Sequence, residues 1–357
     1  MKFSIPRTYL GTMTFAWPSQ TSSIVDESVA VEMIQKFMNF NKNLGRIDNR
    51  IDTARIYAGG KTEQMLGEIL PKVRTPSGTK ITVGTKAHPS VKPDGLSEEG
   101  INEQLRMSLK EMKVASVGEY YLHQPDAEHS LLESLKCAHS LIIKGKISAI
   151  GMSNYHASEM TRAFELCSEY NLTPPTVYQG LYNPLNRVIE EELLPVLERN
   201  GCSFVAYNPL AAGLLSGKHE DLNNVCQGRF KDNQNYLPRF YTAANFKALN
   251  LIRKRCEIDG LSMVEASYRW LLRHSGLKET DGILIGASSL NQLDQNLEAC
   301  MSASEKDSLS QEMLDTFDEA WELTKASSFP YWRSYSMDMP NLASLDMGAS
   351  YSAAKIK

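Results

Sequence analysis

Asp52 and Tyr57 stand five residues apart in the run IDTARIY, and a lysine (Lys86, in TVGTKAH) and a histidine (His123, in YYLHQPD) close two later apolar runs. A free phenol titrates near 10 and is a weak acid at neutral pH. A neighbouring ammonium stabilises the phenolate and lowers that value. A carboxylate paired with the lysine keeps it charged and oriented, and an imidazole beside the phenol can orient a substrate oxygen or relay a proton. Such a set suits protonation of a carbonyl oxygen while something else attacks its carbon. Among the four only Lys86 is a strong nucleophile, so the attacking group is expected to be a hydride carried by a cofactor. Taken singly, Asp52 reads as a loop or helix-capping carboxylate, Tyr57 as a rim aromatic and His123 as a hydrogen-bonded core residue. Lys86 resists such a reading, because an ammonium at the end of an apolar strand needs a partner.

These residues need a scaffold that brings distant segments to one face. Six apolar runs end in polar groups: RIDNRID at Asp52, ITVGTK at Lys86, EYYLH at His123, ISAIGMSN at Asn154, PTVYQ at Gln179 and SFVAYN at Asn208. Short, continuous, β-branched runs are the mark of strands buried on both faces. If the strands are parallel, all six groups emerge together at the carboxyl ends, where barrels place their chemistry. Between them lie amphipathic helical stretches. SEEGINEQLRMSLKEMK has Ser97 as its N-cap, HASEMTRAFELCSEYN is stopped by Pro174-Pro175, and EEELLPVLERNG is closed by Gly201. With TYLGTMTF as the first strand and DGILIGA near the end, the strands number eight. The expected fold class is α/β, a (β/α)8 TIM barrel with long βα loops, a C-terminal helix and a tail. An open doubly wound sheet would want GxGxxG after its first strand, which LGTMTFAW does not supply.

Three regions leave the repeat. Residues 213–242 are long, polar and without periodicity, as functional loops often are. EKDSLSQEMLDTFDEAWELT predicts a final helix. The domain expectation is a single barrel domain over 1–333, including that helix, and a C-terminal tail over 334–357 that is mobile at its end. The aromatic stretch FPYWR (329–333) just before that tail is placed to reach back over the site.

At 357 residues the chain exceeds the roughly 250 of a typical barrel. A net charge of −4 with no basic stripe argues against nucleic acid or an anionic membrane as partner. The six cysteines form no CxxC, and the start MKFSIPRTYLG lacks an apolar leader core, so reduced thiols and a cytoplasmic location are expected. No HExxH or HxxxH spacing is present, and no metal site is expected.

The ordered set LGTMTF, IDTARIY, TVGTKAH, YYLHQPD, IGMSNY, TVYQGLYNPLNR, VAYNPLAAGLLSGK, GRF and GASSLNQLDQN resembles the aldo-keto reductase superfamily, most nearly its aflatoxin-aldehyde (succinic semialdehyde) reductase branch. The resemblance runs from about Leu10 to Arg333. It implies a catalytic tetrad of Asp52, Tyr57, Lys86 and His123, with Tyr57 as proton donor and His123 also touching substrate. It further implies an extended nicotinamide dinucleotide, NADPH (NADP+) in preference to NADH. Ser153, Asn154 and Gln179 would take the carboxamide, Tyr207 the nicotinamide ring, and Asn208, Leu210, Gly213 and Lys218 the pyrophosphate. Arg229 would also contact the cofactor, and Ser288, Gln292, Gln295 and Asn296 would lie beneath the adenosine phosphate, at a helix N-terminus that favours anions. Gln292 departs from the basic residue common there. Tyr236, Arg239 and Arg333 fall at substrate-contacting positions, and an arginine pair would favour substrates with acceptor oxygens. The resemblance also implies a small-molecule carbonyl substrate and a homodimer. Two rival readings are a Schiff-base lyase using Lys86 and an NADPH-binding redox-sensing module with weak turnover.

Overall fold

A computed structural model describes residues 3–18, 23–91, 94–225 and 228–349. Its strands are β1 (Arg7–Gly11), β2 (Asp48–Asp52), β3 (Lys80–Ala87), β4 (Val117–Leu122), β5 (Ile147–Ser153), β6 (Val177–Leu181), β7 (Ser203–Tyr207) and β8 (Gly282–Gly286). Each pairs in parallel with its chain neighbour, and β8 returns to β1, so the sheet closes as an eight-stranded barrel. This is the expected (β/α)8 fold. Closure explains the continuous apolar runs: every residue of β6 is buried, as are four of the five in β8.

Tyr9, Tyr121, Val177, Val205 and Leu284, from five different strands, pack together as a cluster separate from the main core. Residues so far apart around the sheet meet only inside the barrel, so they form a plug beneath the mouth. Gly151 on β5 makes room for it, since a Cβ there would lie 2.3 Å from the Tyr121 ring. Below the plug Arg50 is ion-paired with Glu119, which also accepts from the Tyr9 hydroxyl.

Outside the barrel run α1 (Glu27–Asn43), α2 (Lys61–Ile69), α3 (Glu98–Met112), α4 (Leu131–Ile143), α5 (Ala157–Glu169), α6 (Ile189–Arg199), a short α7 (Leu237–Phe240), α8 (Ala243–Asp259), α9 (Met263–Arg273), α10 (Leu290–Glu305) and α11 (Gln311–Lys325). Several of their starts carry side-chain caps: Asp26 accepts from Val29 N–H, Ser97 from Gly100 N–H and Ser289 from Gln292 N–H.

The structure revises several boundaries. β1 stops at Gly11, where the expected strand ran to Phe15, because Thr12 turns away, donating from both its N–H and its hydroxyl to Asp52 O. Gln179 is the middle residue of β6, not its end, since the strand continues to Leu181. The final helix expected over 305–324 starts later, at Gln311: Glu305 ends α10, Lys306 is extended, and Ser310 caps α11. Helices α8 and α9, lying between the long loop and β8, were not anticipated. Residues 334–349 leave the repeat but lie against α4 and α5 through hydrogen bonds described below. The expectations for Cys226 and for residues 350–357 fall outside the described residues.

Candidate active site

At the mouth of the barrel an ammonium is buried. Lys86, 0% exposed, donates to both Asp52 carboxylate oxygens at 2.7 and 2.6 Å and to Thr53 O at 2.7 Å. Those are all the donors a lysine has. The register partners of Asp52 on both sides are glycines, Gly11 and Gly84, so no neighbouring strand side chain crowds the carboxylate. Gln179 reaches across and donates to Asp52 Oδ1 at 2.9 Å. Burial pushes the Lys86 ammonium below its usual range, and Asp52 opposes that most strongly.

Tyr57 opens a tight turn, Tyr57–Gly60, in which Ala58, Gly59 and Gly60 all have left-handed backbones (φ 48, 64 and 96). A side chain at Gly60 would strike the Arg55 guanidinium, which is pinned by an ion pair to Glu63 at 2.5 Å. The other Glu63 oxygen accepts from Thr85 on β3 at 2.6 Å, so the turn is tied to the strand that carries Lys86. The Tyr57 ring centroid lies 5.3 Å from Lys86 Nζ, 6.0 Å from the His123 ring in an edge-on arrangement, and 6.1 Å from Trp17.

His123 follows β4 and extends its ladder by donating N–H to Ala87 O at 2.9 Å, while its carbonyl accepts from Asn154 Nδ2 at 2.8 Å. Burial of its ring, then the neighbouring His88, Lys86 and Arg333, hold its pKa well below the usual imidazole range. His123 is therefore neutral at pH 7. His88, two residues after Lys86 and so on the same side of β3, meets the His123 ring edge-on at 5.0 Å. Its Nδ1 accepts from Ser90 N–H at 3.0 Å, which leaves Nε2 as the protonated nitrogen, and burial pushes its pKa down to about 4. Three shielded polar atoms here, Thr53 Oγ1, Tyr121 Oη and His123 Nδ1, have no partner within the protein. Buried polar atoms without a partner call for an explanation, and at this mouth a bound molecule would supply one.

The neighbouring strand ends add amides and an aromatic ring. Asn154, in a left-handed conformation (φ 62), donates to Ser153 Oγ at 2.9 Å and accepts from Tyr207 Oη at 2.8 Å. After β7 the backbone takes positive φ at Asn208, Ala211, Ala212, Gly213 and Gly217. Turns of this kind expose successive N–H groups to anions. Leu210 O holds the loop by accepting from Gly213 and Leu215 N–H, and Lys218 is exposed beyond it. In the long loop the Arg229 guanidinium lies 5.4 Å over Tyr236, and that of Arg239 lies 5.4 Å over Phe329. Beyond β8, Gln292 Oε1 folds back to accept from Ser288 N–H and Oγ at 2.9 and 2.8 Å; Asn296 Nδ2 donates to Gly286 O, and Gln295 is exposed. Arg333 donates its N–H to Asn154 O at 2.9 Å and Nη1 to Gln124 Oε1 at 3.3 Å, which puts it beside the two histidines.

The profile of the aldo/keto reductase family matches residues 8–322. The chain belongs to the aldo-keto reductase family. Aflatoxin B1 aldehyde reductase member 2 of Mus musculus is 35% identical over 344 residues, covering 92% of this chain and 88% of the relative. Aldo-keto reductase family 7 member A3 of Homo sapiens is 37% identical over 306 residues, covering 81% and 89%. The oxidoreductase sirO of Leptosphaeria maculans is 30% identical over 337 residues, covering 91% and 97%. This aldo-keto reductase is thus an oxidoreductase of the class that reduces carbonyls with NAD(P)H. Its mouth also holds residues that the sequence reading passed over: His88, Gln124 and Trp17. Only His88 carried a signal, its spacing of two from Lys86. Among the described residues no helix is long and apolar enough to cross a membrane, and Cys137, Cys167, Cys202, Cys256 and Cys300 are buried free thiols.

Proposed function

We propose that this protein reduces an aldehyde or ketone to the alcohol with NADPH, with Tyr57 giving its phenolic proton to the carbonyl oxygen. The observation that carries this reading is the Lys86 ammonium, fully buried on Asp52 and 5.3 Å from the Tyr57 ring. As the phenol gives up its proton, negative charge grows on its oxygen, and a desolvated ammonium nearby stabilises that charge more than water would. Asp52 holds the ammonium in place, and Gln179 holds Asp52. Neutral His123 donates a hydrogen bond to the substrate oxygen and so orients it toward Tyr57.

The donor set at the mouth fits a nicotinamide dinucleotide. Ser153, Asn154 and Gln179 offer the donors and acceptors that a carboxamide requires, and Tyr207 offers a flat face. The left-handed turns from Asn208 through Leu210 and Gly213, with Lys218 beyond, suit a pyrophosphate. Ser288, Gln292, Gln295 and Asn296 open α10, whose N-terminus favours a phosphate. The chemistry that the dinucleotide supplies when bound is delivery of a hydride to the carbonyl carbon. Arg229 and Lys218 provide the positive charge that favours the additional phosphate of NADPH over NADH.

Tyr236, Arg239 and Arg333 ring the substrate side in this reading. Arg333 lies close enough to depress His88 and His123, which suits a substrate bearing a carboxylate or other acceptor oxygens near its carbonyl. The name of the mouse relative, an aflatoxin B1 aldehyde reductase, supports an aldehyde. A lyase role for Lys86 is disfavoured because its three hydrogen bonds, two of them to a carboxylate, hold it as an ammonium. The test is a panel of aldehydes and ketones with consumption of the reduced nicotinamide followed optically, in NADPH and in NADH. Turnover of aldehydes with a lower KM for NADPH is expected. A panel without turnover, or conversion of the carbonyl compounds that requires no nicotinamide, would reject the reading.

A further inference from the structure

The 331–349 segment, which lies beyond the residues matched by the family profile, is built as a closed loop fastened at both ends. Its ends meet where Ala349 N–H donates to Trp332 O and Ser334 N–H to Met347 O, at 3.0 and 2.8 Å. Gly348 sits in this closure with φ +69, and a Cβ there would lie 2.5 Å from the Trp332 indole. At its start the Tyr331 hydroxyl accepts from Ala157 N–H, the first residue of α5, at 3.0 Å and donates to Glu192 at 2.9 Å.

Past Arg333 the loop is tied down again. Ser336, 2% exposed, donates its N–H to Glu159 Oε1 on α5 at 2.8 Å. Met337 N–H reaches Asp126 O in the loop after His123, at 3.0 Å. Asp338 then makes three attachments at once: it accepts from Leu131 N–H at 2.9 Å, from Ser130 Oγ at 2.8 Å and from the Arg162 guanidinium at 2.7 Å. Ser130 makes no capping bond of its own to α4, so the cap of that helix comes from 207 residues further along the chain. Arg333 therefore sits between two sets of ties, to α5 on one side and to α4 and α5 on the other.

Resting on the reading of Arg333 as a substrate contact, we propose that Asp338 and Arg162 are positioning residues for carboxylate recognition. Their ion pair clamps the loop onto α4 and α5, and the clamped loop holds the Arg333 guanidinium at the mouth. Neither residue touches substrate or cofactor. Losing the clamp frees Arg333 to sample other positions, so a carboxylate-bearing carbonyl loses affinity while an uncharged one does not.

The test compares 4-formylbenzoate with its methyl ester, two aldehydes that differ in one charge, in the full-length enzyme with NADPH. Asp338→Ala and Arg162→Met are each expected to raise KM for the carboxylate about tenfold. The kcat for the carboxylate and both constants for the ester should stay within about twofold, and Asp338→Glu should recover most of the loss. Arg333→Gln should raise KM for the carboxylate at least as much as the clamp variants. If Arg333→Gln acts but the clamp variants match the unaltered enzyme, or weaken ester and carboxylate equally, the clamp is overturned and the reading of Arg333 stands. If Arg333→Gln leaves the carboxylate KM unchanged, that reading falls and takes the clamp with it. Should Asp338→Ala fail to fold, Arg162→Met and Asp338→Glu decide the matter.

Discussion

From β2 to β5 the mouth of the barrel is dense: Asp52, Lys86, His88, His123 and Asn154 are held by bonds among themselves and to the strands beneath. From β7 to β8 it is open, made of left-handed turns, an exposed Lys218 and arginines that lie on aromatic rings. The dense side is organised around charges removed from water, where small changes in position alter electrostatic energies greatly. The open side keeps its cations near solvent, as a surface that must admit and release a large anion does. In the proposed reading proton transfer belongs to the dense side and capture of the dinucleotide phosphates to the open one, so substitutions on the two sides should differ in kind.

The largest effect is expected at Lys86. Lys86→Met removes the ammonium beside Tyr57 and should lower kcat/KM by about 10²–10⁴. It also leaves Asp52 buried without its cation and should destabilise the fold by about 3–5 kcal/mol, read as a fall in Tm. A loss of activity confined to KM would erase the distinction between the two sides. Next comes the open side: Arg229→Ala should raise KM for NADPH about tenfold with kcat nearly unchanged, in line with one lost charge-assisted contact.

A third effect concerns Glu159, which lies under the clamped loop and belongs to neither side. Burial pushes its pKa up to about 7, from an ordinary 4.5. The folded state thus binds this proton more tightly than the unfolded chain does. The contribution to stability is full below about 4.5 and lost as pH rises through about 7. Glu159→Gln does not titrate and can still accept from Ser336, so its stability relative to the unaltered protein should rise between pH 5 and pH 8, by at most about 3 kcal/mol. A pH-independent difference would contradict the burial argument. The smallest signal is one of shape: His123 and His88 are both held neutral, so kcat/KM should show no inflection near the ordinary histidine value of 6.5. A clear acid limb there would mean that the dense side is wetter than its geometry implies.

The dense side was the more legible in the sequence, for a physical reason. Lys86, His123 and Asn154 lie at strand ends or follow them directly, and strands buried on both faces announce themselves as apolar runs. Asp52 and Tyr57 add a short turn whose glycines fix it. Gln179 was identified from its run although its strand continues past it, because inward-facing residues of neighbouring strands reach the same layer. The remainder follows no such period. His88 offered only its spacing of two from Lys86, and its meeting with His123 depends on how the barrel brings β3 beside β4. Helices α8 and α9 came after a long aperiodic loop that hid their start. The docking of 334–349 depends on Asp338 finding a helix start 207 residues earlier, and no local pattern encodes a contact of that separation.

The most direct test of the account is Tyr57→Phe, which deletes one oxygen and leaves the ring against Lys86 and His123. Turnover of the best aldehyde should fall by about 10² or more while NADPH still quenches protein fluorescence with nearly unchanged affinity. Turnover retained at the level of the unaltered enzyme would contradict the assignment of the proton to Tyr57.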